Sequence, residues 1–221
     1  MRYCRKIQLY KVYFSKHSCH IAHRTEKGDF LKLGDFAFIR TGLVFSRKEA
    51  MPDESSLRYR ALNLRNITDD GKILLSGIED YYASDALKKE YFTQASDILL
   101  RLSAPYTAIL ITEEEANLLI PAHFAIIRAK KTLDPHYLHW WLIKNKKQFH
   151  KMASGGTMMG TISSGYVADM PFEPPPIESQ QQVARLLKLA NQEQQLLSVL
   201  SEKKKRLIDA TLKKIISGKG K

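Results

Sequence analysis

The sequence predicts an α/β protein: a mixed globular domain over residues 1–175, followed by a long helical segment over 176–221. Three features carry this reading. Between residues 31 and 129, apolar residues alternate or cluster in short runs bounded by Gly, Asp and Asn, the pattern of strands and turns. Residues 134–152 and 180–216 repeat their apolar residues at helical spacing instead. Between these regimes, PFEPPPIESQQQVARLL at 171–187 puts four prolines in six residues just ahead of a segment with no further proline.

The elements follow in order. LGDFAFIRTG at 33–42 reads as a strand bounded by glycines. LRYRALNLRNI at 57–67 alternates Leu57, Tyr59, Ala61, Leu62, Leu64 and Ile67 against Arg58, Arg60, Asn63, Arg65 and Asn66, which predicts a strand with one polar face. TDDGKILL then reads as a hairpin turn at Asp70-Gly71 followed by a strand. DILLRL (97–102), TAILIT (107–112) and HFAIIRA (123–129) are three further strands. Residues 134–152 form a helix with Asp134 as N-cap and Pro135 at its first position, and Trp140 and Trp141 in the core. ASGGTMMGTISSG at 153–165 is a glycine-rich loop. The last helix starts at Ser179, with Gln182 three residues on in a capping-box pattern. Its apolar stripe is Val183, Leu186, Leu187, Ala190, Leu197, Leu200, Leu207, Ile208, Leu212 and Ile215. At ~1.5 Å per residue it would be about 55 Å long, more than a body of this size can cover, so the stripe calls for a partner helix.

Net charge is +12 with a pI near 9.6, which favours an anionic partner. Residues 178–221 hold ten Lys/Arg and four Asp/Glu, so half the excess sits on the terminal segment. No stretch is apolar and long enough for a bilayer span, and the basic but interrupted start is a poor signal peptide, so a cytoplasmic location is expected. Two cysteines make no disulfide framework. His17, Cys19, His20 and His23 cluster with Cys4 upstream, but not at zinc-site spacing, so no metal or other cofactor is expected.

Arg58, Arg60 and Arg65 share a strand region with Asn63 and Asn66. Arg pairs bidentately with guanine and Asn with adenine, so this set suits base-edge contacts; a solvated sheet face would present the same residues. Arg40, Thr41, Arg47 and Lys48 flank an expected turn at Gly42. Ser154, Gly155, Gly156 and Thr157 offer small side chains and free amides to a phosphate, or else a helix C-cap at Gly155. Catalysis is not expected. Pro52-Asp53 with Asp70-Gly71-Lys72 resembles a metal-nuclease pattern, but Asp70 sits in a turn signature. No methyltransferase, P-loop or serine-nucleophile motif occurs.

The order of LGDFAFIRTG, YRALNLRNI, DILLRLS, HFAIIRA, DPHYLHWWL, an SGGT loop and MPFEPPPIESQQQVARLL before a long helix resembles the specificity subunit of type I restriction–modification systems, over residues 29–217. The resemblance implies a domain that reads half of a bipartite site in double-stranded DNA. It also implies a helix that docks methyltransferase (M) subunits, and through them restriction (R) subunits, and that fixes the spacing to a second recognition domain. Full subunits of that family carry two domain-plus-helix halves; here one is present, which implies a half-subunit that homodimerises through the terminal helix. The family helix usually opens P-x-x-E-Q, whereas Pro176, Ile177, Glu178, Ser179 and Gln180 carry one inserted residue. A rival expectation is a truncated, specificity-like interaction protein that modulates such subunits without reading DNA.

Overall fold

A computed structural model describes residues 30–53, 55–68, 71–156 and 160–218, of which 154–156 are described by their backbone alone. The body is built on a four-stranded antiparallel sheet in the order β1-β6-β4-β5, with β1 at Ala37–Thr41, β4 at Ile98–Arg101, β5 at Ala108–Leu110 and β6 at Phe124–Ala129. Alternation along these strands feeds two separate cores. Ile98, Leu100, Ala108, Ala125 and Ile127 face a helical layer; Leu99, Ile109, Phe124 and Ile126 face Leu62, Ile73, Leu118 and Ile120 on the other side. The helical layer holds α1 (Leu33–Phe36), α2 (Pro135–Lys144), α3 (Lys146–Gly156) and α4 (Ser164–Ala168). On the opposite side, β2 (Leu57–Ala61) and β3 (Glu79–Ala83) pair as a small antiparallel sheet, seated on Leu43 and Leu119.

Several sequence expectations need correction. The expected strand at 57–67 ends at Ala61 and turns into a 3-10 helix at Leu64–Asn66. Asn66 is the reason: its Oδ1 accepts the Asn63 amide at 2.8 Å and its buried side chain donates to Gly77 O at 2.5 Å, which curls the chain out of the ladder. The segment after Gly71 forms one bridge, Ile67 to Ile73, and then a 3-10 turn at Leu75–Gly77 rather than a strand; Asp70 lies outside the described residues. Gly42 makes no turn. It lets β1 pass against another chain segment, since a Cβ there would sit 2.4 Å from the carbonyl oxygens of Ile120 and Pro121. The helix expected over 134–152 is two, broken at Asn145, whose Nδ2 bonds Trp141 O. Asp134 caps α2 as the sequence implies, accepting from His136 and Tyr137. Trp140 and Trp141 pack on the core from its edge, half-buried, with Trp141 edge-on to Phe172. The expected loop at 153–165 is helical through Gly156, so Gly155 is no C-cap. Cys4 and the His17–His23 cluster lie outside the described residues.

The terminal helix, α5, spans Ile177–Ile216 and starts on Pro176, so Ser179 and Gln182 form no cap. Its buried residue is Gln180, 1% exposed. Gln180 Oε1 accepts the Asp134 amide at 2.8 Å; its Nε2 donates to Pro175 O at 2.8 Å and Thr132 O at 3.3 Å. One amide thereby ties α5 to the start of α2 and to the proline run. Val183 packs against the body and Leu187 is half-buried; the other large apolar residues of the stripe are exposed, Leu186 at 69% and Ile215 at 69%.

Two polar contacts add to the stability that the apolar cores give the body. Arg128 Nε and Nη2 each reach an Asp97 carboxylate oxygen at 2.7 Å, and Asp97, 1% exposed, also accepts the Gln94 amide. Asp97→Ala should cost about 2–3 kcal/mol in urea unfolding, the lower range for breaking a buried pair because Arg128 keeps partial solvent access. His139 Nε2 donates to Ala108 O at 3.1 Å, linking α2 to β5. Burial lowers its pKa, so the folded state resists a proton that the unfolded chain takes up near pH 6.5. This part of the stability is present above that pH and declines as pH falls below it. His139→Gln should flatten the stability profile between pH 7.5 and 5.5, read by urea unfolding.

Candidate nucleic-acid interface

Most nominated cations lie on the β2–β3 side of the sheet, where Arg40, Lys48, Arg58 and Arg65 acquire acidic partners from neighbouring segments. Arg58 meets Asp80 at 2.8 Å, one strand across. Arg65 meets Glu79 at 2.9 Å, and the Asn63 amide donates to the same carboxylate at 2.8 Å. Lys48 meets Asp85 at 3.2 Å, and Arg40 is bonded to Glu90. The Arg40 hydrogen bond holds the Glu90 carboxyl below its ordinary range, and the Asp80 hydrogen bond raises the Arg58 guanidinium. These pairs are exposed, so each is weak and exchangeable. Arg47 and Arg60 have no ion pair among the described residues. Thr41 bonds the Ser164 hydroxyl at 2.7 Å, which commits it to holding α4 on β1.

The α3 terminus is on the other side of the sheet. Ser154 and Gly156 belong to its last turn, and Thr157 lies outside the described residues. The nominated set is therefore split by the central sheet. Sequence reasoning missed the lysines beside it: Lys144, Lys147 and Lys151 are exposed and Lys146 partly so, and none has an ion pair among the described residues. The α3 face opposite buried Phe149 and Ala153 carries Lys147 and Lys151, one turn apart. A signal was available: residues 135–168 contain no Asp or Glu. Among the described residues no group of His, Cys, Asp and Glu could hold a metal, and no helix is long and apolar enough to cross a membrane.

The two faces differ in how far acids among the described residues offset their cations: four of six on the β2–β3 side, none of the four lysines on the other. Lys147→Glu with Lys151→Glu should lower the salt needed to elute the protein from a polyanion matrix. Arg58→Ala with Asp80→Ala, which removes a neutral pair, should leave elution nearly unchanged.

No protein-family model and no curated protein matches the chain. Among solved structures, it is similar to the HsdS subunit from Thermoanaerobacter tengcongensis at 15% identity and TM-score 0.50, covering 74% of this chain and 37% of that one. It is also similar, at 16% identity and TM-score 0.52, to a chain from a structure addressing complex assembly and conformational transition of the type I R-M system, covering 74% of this chain and 38% of that one. The chain thus spans little more than a third of the length of the structures it matches. At these identities the likeness is one of fold: a mixed α/β body on antiparallel sheets with a long C-terminal helix has the architecture found in an HsdS subunit.

Proposed function

We propose that this chain is a non-catalytic DNA-recognition subunit of a type I restriction–modification system, a half-length specificity subunit that works as a homodimer. The fold shared with an HsdS subunit is the observation that carries this reading. The long helix supports it, because a body of this kind gains nothing in its own stability from a stripe of exposed leucines. In this reading residues 1–175 are the target-recognition domain, and residues 176–221 pair the subunits and dock M, and with it R, subunits in the cytoplasm. Arg58, Arg60, Asn63 and Arg65 face base edges, with Arg40, Arg47 and Lys48 beside them, since release of an exposed acid costs little. Ser154, Gly156 and Thr157 are assigned to phosphate contacts in this reading.

Selection from random duplex DNA, with a cognate methyltransferase subunit present, tests the proposal. The expected product is an interrupted palindrome, because a two-fold dimer presents one reading surface twice. Arg58→Ala with Arg60→Ala should degrade the half-site and leave the gap intact. No enrichment over competitor would leave the interaction-protein reading in its place.

A further inference from the structure

The apolar stripe of α5 is interrupted, and the interruptions are complementary. Taking Leu186 as reference, the residues nearest one face are Leu186, Ala190, Glu193, Leu197, Leu200, Lys204 and Leu207. Glu193 and Lys204 are both exposed and have no ion pair among the described residues. Glu193 also lines a shallow groove with Leu189, Leu196, Leu197 and Leu200. They are three turns apart, so they share the face without touching.

We propose that a second copy of this chain covers that face in one antiparallel register, with Glu193 of each helix against Lys204 of the other. The proposal deepens the homodimer reading by fixing its geometry. In this register each residue number and its partner's sum to 397, and the dyad falls between Ser198 and Val199. Leu197 then meets Leu200 of the second copy, Ala190 meets Leu207, and Leu189 meets Ile208. Parallel pairing is disfavoured, because it would set Glu193 against Glu193 and Lys204 against Lys204.

Gln180 is the buried residue of α5, and the helix ends at Ile216. The residues past Gln180, 181–216, are centred on the same point between Ser198 and Val199, so this register brings each helix end beside the root of the other, where Val183 and Leu187 are already half-buried. The two Gln180 clamps then stand about 56 Å apart along the axis, at ~1.5 Å per residue.

Charge exchange in the full chain tests the register. The wild type should sediment as a dimer at low micromolar concentration. Glu193→Lys alone, or Lys204→Glu alone, should weaken the dimer at least about tenfold, and Glu193→Lys with Lys204→Glu should restore it. Both positions are exposed on the helix, and unchanged helical circular dichroism would show that the variants fold. A monomeric wild type, indifferent single variants, or a double variant as weak as the singles would overturn the register. Duplex binding measured on the same samples reads the DNA-recognition proposal separately. A restored dimer that selects no duplex ends that reading alone; duplex selection without charge rescue ends the register alone.

Discussion

One buried amide governs how this molecule is put together. The Gln180 side chain supplies an acceptor and two donors without bringing a charge into the interior, and it spends them on three backbone groups from two segments. No other residue type of its size does both. Glu would lose the donors, and Leu would leave an amide and two carbonyls without that partner, at about 1–3 kcal/mol for each buried group left unmet. The prolines at 174–176 restrict the chain on the near side of the junction, and Val183 packs on the far side. Everything beyond is lever. Over the ~54 Å of helix past Gln180, a 10° swing at the root moves the tip by about 9 Å. A helix that measures distance needs its angle fixed where it leaves the body, and proline stiffness alone does not supply that, because it constrains the chain and not the docking.

The central sheet imposes the second constraint. It is insulated on both faces by apolar layers, so the β2–β3 cations and the α3 lysines cannot gather on one flat surface. The first set is interleaved with Glu79, Asp80, Asp85 and Glu90, which offset four of its six charges. The second stands in an acid-free stretch. Long-range attraction of a polyanion scales with net local charge, whereas base reading depends on donor geometry. Paired arginines are poor attractors yet retain their fork geometry, and the strand pairing keeps them in fixed register.

Much of this was legible in the sequence, and the failures have physical causes. Strands 98–101, 108–110 and 124–129 were readable because their apolar runs are buried on both faces. The Asp134-Pro135 helix start was readable because its signal is local. The strand at 57–67 misled because its alternation continues past Ala61, while a tertiary bond from Asn66 to Gly77 bends the chain. The paired state of Arg58 and Arg65 was hidden, since their acids lie across a hairpin some 14–22 residues away in sequence. Gln180 looked like one more solvated glutamine in a run of three. The α3 lysines were hidden for a different reason: their signal lies in the acids that residues 135–168 omit rather than in any motif they contain.

In the proposed dimer, the composition of α5 would keep the helix from pairing indiscriminately. An unbroken leucine face of this length would associate in either direction and in several registers. Glu193 and Lys204 each put a charge on that face, which weakens pairing in every arrangement except those that neutralise both. Lys203, Lys204, Lys205 and Arg206 carry positive charge round the full circumference of one turn, and Glu202 offsets only Arg206 on its own helix. Such a band keeps solitary helices apart until an acid is brought opposite it. In the proposed dimer the chain would accept a weaker interface in return for a defined one. That trade would favour a bipartite reader, since a slip of one heptad would move the two bodies by about 10 Å, three base-pair steps, and cost it its register on DNA.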